Sequence, residues 1–137
     1  MLDFKINALN INKNKIIKVE KFDRKSSFFK KINNYFSNST KKIQSSFLKT
    51  NNGLKAALAK SNVLDEITIS CFNNITKFTN FEKGETICIV ATGGYGRQEL
   101  APFSDIDILF LHTIKNTKKL EKTIKPFLYI FWDLGLR

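Results

Sequence analysis

Residues 86–111 read TICIVATGGYGRQELAPFSDIDILFL. Thr86 to Ala91 is short, apolar and rich in β-branched residues, the signature of a buried strand. Two glycines follow it, and eleven residues after the second come Asp105 and Asp107, opening another apolar run to Leu111. That run, Asp105 to Leu111, is predicted as a second strand. The reading therefore turns on why two like charges stand at the mouth of a strand.

Side chains alternate faces along a strand, so Asp105 and Asp107 project together while Ile106 and Ile108 point the other way. Two adjacent carboxylates repel, and a divalent cation resolves the repulsion. Mg²⁺ takes carboxylate oxygens and substrate phosphates, and a pair of such ions about 3.5–4 Å apart can clamp an in-line phosphoryl displacement. Gly93 and Gly94 suit the same chemistry. Without Cβ atoms they let backbone N–H groups approach phosphate oxygens at the start of a helical turn. Other glycine motifs fit badly. No Gly-Lys-Ser/Thr is present, and Gly94 and Gly96 are followed by Arg97, Gln98 and Glu99 where a dinucleotide fingerprint needs a third glycine. Interleaved isoleucines exclude an EF-hand loop. Either feature alone is commonly only a turn or a strand start; the combination is what carries information.

Working outward, Leu64, Ile67, Cys71, Phe72, Ile75 and Phe78 form one stripe, predicting an amphipathic helix over 63–79 with Asn62 as its cap. Ile43, Phe47, Leu54 and Leu58 recur near helical spacing over 40–60, and the Asn-Asn-Gly at 51–53 predicts a break or kink there. Residues 1–38 read as an irregular Lys/Asn-rich arm with a short helix at 27–36, and 39–137 as the folded part. After the second strand a helix carries Leu120, Ile124, Phe127, Leu128 and Phe131, with Pro126 inside it. The order helix, strand, glycine loop, strand, helix is an α/β pattern with N-terminal helices. Its apolar faces ask for more sheet and helix than 137 residues supply, so the chain reads as the front of a larger domain.

The formal charge of +11 invites a nucleic-acid partner, but the excess lies within residues 1–60, and 61–137 are balanced. Twenty of the 23 basic residues are Lys, and 14 Asn accompany them. Such a composition follows from A/T-rich codons and lacks the Arg expected of a nucleic-acid surface. No apolar stretch approaches the roughly 20 residues of a membrane span, and the N-terminus lacks an apolar signal core, so the expectation is cytoplasmic. Cys71 and Cys88 are read as buried side chains. Tyr95 and Phe103 are read as packing residues and His112 as a surface residue.

GGYGRQELAPFSDIDILFLH resembles the nucleotidyltransferase motif of the bifunctional uridylyltransferase/uridylyl-removing enzymes that modify the PII signal protein. Those enzymes belong to the polymerase β-type nucleotidyltransferase superfamily. The likeness is strong over 90–111 and weaker over GLKAALAKSNVLDEI and FLYIFWDLGLR; residues 1–40 carry none. It implies an incomplete domain of that fold, transferring UMP from UTP to a tyrosine of PII, with Mg²⁺ and under glutamine control. It implies that Asp105 and Asp107 bind the metal and are catalytic, and that Gly93 and Gly94 contact the nucleotide phosphates. Arg97 would neutralise triphosphate charge, with pairing to Glu99 as the plainer role, and Ser104 would donate to a phosphate or cap a turn. The sequence departs from the pattern at Gln98, where the family often has glycine. It also lacks a third carboxylate on a later strand, since only Glu121 and Asp133 follow Asp107. The alternatives are an adenylyltransferase acting on glutamine synthetase and a non-catalytic nucleotide-binding module.

Overall fold

The computed structural model describes residues 26–136. Helix α1 spans Ser27–Thr50 and helix α2 spans Gly53–Thr76, and two adjacent asparagines separate them. Asn51 takes the left-handed conformation (φ 49°) and its N–H closes on the Phe47 carbonyl at 2.7 Å, ending α1. Asn52 then starts α2, its side chain accepting from the Lys55 N–H at 2.9 Å. The predicted break at 51–53 is present, but the cap is Asn52, and Asn62 lies inside the helix. The helix expected over 27–36 runs on to Thr50, started by Ser26, whose hydroxyl accepts from the Phe29 N–H. Residues 27–38 are therefore helical rather than irregular, and Phe28 and Ile32 enter the core. The rest of the expected arm, 1–25, lies outside the described residues.

The chain doubles back between α1 and α2. Near one end the Tyr35 hydroxyl donates to Glu66 Oε2 at 2.5 Å. At the other, Phe47 and Ala56 line one groove. Leu64, Ile67, Cys71 and Ile75 are buried as their stripe predicts. The stripe of the hairpin tip is not covered: Leu54 is 72% exposed, and Leu48, Phe47 and Leu58 are exposed as well.

Strand β1 (Ile87–Ala91) and strand β2 (Ile108–His112) pair antiparallel, with Ala91 opposite Ile108 and Ile87 opposite His112. Opposed residues share a face. Ile89, Ala91, Ile108 and Phe110 pack against the core, while Cys88, Val90, Leu109 and Leu111 form an exposed outer face. The strands are thus half-buried rather than fully buried. Cys88 is exposed, against expectation, whereas Cys71 is buried and its thiol is pushed up to about 12 by desolvation. His112 is exposed, as expected.

Helix α4 spans Thr117–Asp133, capped by the Asn116 side chain on the Lys119 N–H, and runs through Pro126. Its buried face is Thr123, Phe127, Ile130 and Phe131; Leu128, expected inside, is exposed. The helix stops in a Schellman motif. Gly135 has φ 72°, Leu136 N–H bonds the Phe131 carbonyl at 2.9 Å, and Gly135 N–H bonds that of Trp132 at 3.0 Å. Phe127 is the hub between α4, α2 and the sheet, with Phe110 edge-on at 5.6 Å and Phe72 at 6.3 Å. Burying such a ring contributes about 1.5–3 kcal/mol. The architecture is mixed: helices over one face of a small antiparallel sheet. Among the described residues no helix is long and apolar enough to cross a membrane.

Candidate functional site

The segment between the strands, 92–107, holds every residue singled out by the motif. Thr92 leaves β1 in extended conformation, and its N–H donates to the Asp107 carbonyl at 2.9 Å. The ladder therefore continues one pair beyond Ala91–Ile108. Asp107 is held in register by this bond although β2 begins only at Ile108. Asp105 and Asp107 thus precede the strand rather than open it. Ile106 packs on the core, while both aspartates are exposed.

A one-turn helix α3, Gly93–Gly96, follows Thr92. Its glycines meet different demands. Gly93 has φ +57°, and a Cβ there would lie 2.2 Å from Asp107 Oδ2. A side chain at 93 would therefore displace the carboxylate. A Cβ at Gly96 would lie 2.6 Å from the Ala91 carbonyl oxygen, so Gly96 lets the turn close onto the end of β1. Gly94 has only ordinary room, 3.7 Å to the Glu99 carbonyl. Thr92 makes no side-chain cap, and the first N–H groups of a helix have no partner within it.

Tyr95 is buried, as expected, and its hydroxyl lies 3.3 Å from Thr68 Oγ1 on α2. Burial drives the Tyr95 phenol strongly upward, the Thr68 bond opposes this, and the nearby Asp65 carboxylate adds to it. Desolvation also raises Asp65, offset by its bond from Tyr95. Leu100, four residues after Gly96, is fully buried in the core that also takes Tyr95.

The second half of the segment is built differently. Ser104 N–H bonds the Ala101 carbonyl at 3.2 Å, with Pro102 and Phe103 between them. Phe103 has φ +66°, the arrangement of a type II turn, in which this position favours glycine. Its ring is wholly exposed, so the expectation of a packing residue is wrong. Lys60 on α2 reaches across to donate to the Ala101 carbonyl at 2.8 Å, and its partial burial lowers its pKa. Gln98 has φ +60°, a left-handed position natural for glycine, which is the residue that the resemblance puts there.

Arg97 Nε pairs with Glu99 Oε2 at 3.1 Å, with both side chains more than half exposed. Such a pair is worth little and can open. The Ser104 hydroxyl donates to the Asp105 carbonyl at 3.2 Å, a local turn contact. Among the described residues no three His, Cys, Asp or Glu side chains come together. Glu121 pairs with Lys125 on α4. A groove of about 180 Å³ lies between α1 and α2, bordered by Ile43, Phe47, Ala56 and Ala59, and no residue of 92–107 borders it. The Gly93–Asp107 contact and the reaches from α2 leave no mark in the sequence pattern. Only the Gly-Gly-x-Gly spacing signals the closure at Gly96.

No protein-family signature matches the chain, and no solved structure matches it. Curated proteins do. A bifunctional uridylyltransferase/uridylyl-removing enzyme of Azospirillum brasilense is 60% identical over 58 residues, 42% of this chain and 6% of that protein. The enzyme of the same name from Caulobacter vibrioides is 40% identical over 89 residues, 62% of this chain and 10% of that protein. That of Gluconobacter oxydans is 44% identical over 85 residues, 62% of this chain and 9% of that protein. The chain thus spans a tenth or less of the length of these relatives, and over about half of its own length it is similar to bifunctional uridylyltransferase/uridylyl-removing enzymes.

Proposed function

We propose that residues 92–107 form the phosphate- and metal-binding end of a polymerase β-type nucleotidyltransferase site. The reaction is transfer of UMP from UTP to a tyrosine of the PII signal protein, under glutamine control and in the cytoplasm. The single observation that supports it best is the packing of Gly93 against the Asp107 carboxylate. It sets a backbone turn able to take phosphate oxygens beside a hard oxygen donor. Asp105 and Asp107 offer carboxylates without competing soft ligands, a donor set that suits Mg²⁺ completed by water and phosphate. Mg²⁺, when bound, supplies charge neutralisation on the phosphates. The chain's own residues do the rest. The Gly93–Gly94 amides seat the phosphates. Arg97, released from Glu99, adds positive charge. Asp105 and Asp107 hold the metal end. The phenolic oxygen of the acceptor tyrosine bonds to the α-phosphorus of UTP and gives its proton to solvent, the bond from that phosphorus to the α,β-bridging oxygen breaks, and pyrophosphate leaves with its electrons.

The test is transfer of label from α-labelled UTP to PII by the protein and by Asp107→Asn. The expected result is Mg²⁺-dependent labelling that falls about 10²-fold or more in the variant. Labelling by Asp107→Asn at the unaltered rate would remove the metal assignment. A second reading, a nucleotide-binding module without catalysis, is favoured by the absence of a third clustered carboxylate among the described residues. It predicts Mg²⁺-dependent UTP binding with no label transferred.

A further inference from the structure

Helix α3 is Gly-Gly-Tyr-Gly, so Tyr95 is the one side chain within it that the rest of the molecule can hold. Glycines are the residues whose backbone is least determined locally. The position of the turn over Asp107 must therefore be set from outside it. Three side chains of α2 reach the segment, and one of them is Asp65, whose carboxylate takes a bond from the Tyr95 hydroxyl. Thr68 Oγ1 meets the Tyr95 hydroxyl at 3.3 Å, and Lys60 Nζ meets the Ala101 carbonyl at 2.8 Å. Eight residues, about 12 Å along a helix axis, separate these two points. The Thr68 contact is buried, with Tyr95 and Thr68 each less than a tenth exposed. A buried hydroxyl pair is held to its geometry, because leaving either group unpaired is costly.

We propose that Tyr95, through its hydroxyl contacts with Thr68 and Asp65, is a positioning residue that fixes the glycine turn against Asp107 and so sets affinity for the nucleotide phosphates. The claim about nucleotide rests on the proposed function; the claim about the turn does not. The ring alone fills the core. The hydroxyl fixes how deep the ring sits, and with it how closely Gly93 approaches the carboxylate.

The test compares Tyr95→Phe, Thr68→Val, both together, and Thr68→Ser. Amide hydrogen exchange at 93–97 and calorimetric affinity for MgUTP are the readouts, with the thermal midpoint as control. Tyr95→Phe is expected to speed exchange at 93–97 about five- to tenfold and to weaken MgUTP by a similar factor. Thr68→Val leaves the Asp65 contact in place and should act in the same direction by a smaller factor, the double variant should be no worse than Tyr95→Phe alone, and Thr68→Ser should retain wild-type behaviour. Unchanged exchange in Tyr95→Phe, or additive effects, would overturn the positioning role. Faster exchange with unchanged MgUTP affinity would overturn its link to the nucleotide. Should the unaltered protein bind no MgUTP, the nucleotide reading fails, and the exchange result alone still decides whether Tyr95 holds the turn.

Discussion

The two halves of the 92–107 segment are held by different forces. The first half, the glycine turn, is tied to the core by side chains: Tyr95 and Leu100 are buried, and Tyr95 bonds Thr68. The second half, 101–105, is tied through its backbone. Its Ala101 carbonyl takes both the Ser104 N–H and the Lys60 ammonium, while the Phe103 ring and the Asp105 side chain are exposed. One wall of the candidate site is thus a fixed part of the core and the other an adjustable surface loop. A site that must seat phosphates on one side and gather metal on the other is well served by that division, because the fixed half supplies the reference geometry.

Breaking the fixed half should cost most. Leu100→Ala removes a fully buried side chain just after the turn and is expected to lower stability by about 2–5 kcal/mol in denaturant unfolding. A change below 1 kcal/mol would show that the turn is not anchored in the core. The adjustable half should respond in the opposite sense. Phe103→Gly loses no packing and relieves a left-handed conformation. It is expected to raise stability by on the order of 0.5–1 kcal/mol, the relief of strain being partly offset by added freedom in the unfolded chain. A loss of stability there would mean that the exposed ring is held by contacts the comparison denies it.

How much of this was legible depended on how local the determinant is. The break at 51–53 is legible because asparagine and glycine impose it within a few residues, although the cap is Asn52 and not Asn62. The buried stripe of α2 followed from periodicity. Periodicity did not say that the stripe continuing through Leu54 and Leu58 is left uncovered, because covering is a property of neighbours. The same limit misplaced Cys88, whose strand has only one covered face. Strand β2 starts three residues later than its apolar pattern suggested: after Thr92 bonds the Asp107 carbonyl, the chain turns into α3 and offers Asp105 no ladder partner. The candidate site was visible as a spacing of glycines and aspartates. Its geometry was not, because positive φ at Gln98 and Phe103 leaves no mark in residues that usually avoid it.

The account stands on the claim that Gly93 and Asp107 together form a metal-dependent phosphate site. The most direct measurement is isothermal titration of UTP into the protein with and without Mg²⁺, repeated on Asp107→Asn. The account predicts binding that requires Mg²⁺ and weakens at least about tenfold in the variant. Equal affinity without Mg²⁺, or in Asp107→Asn, would contradict it.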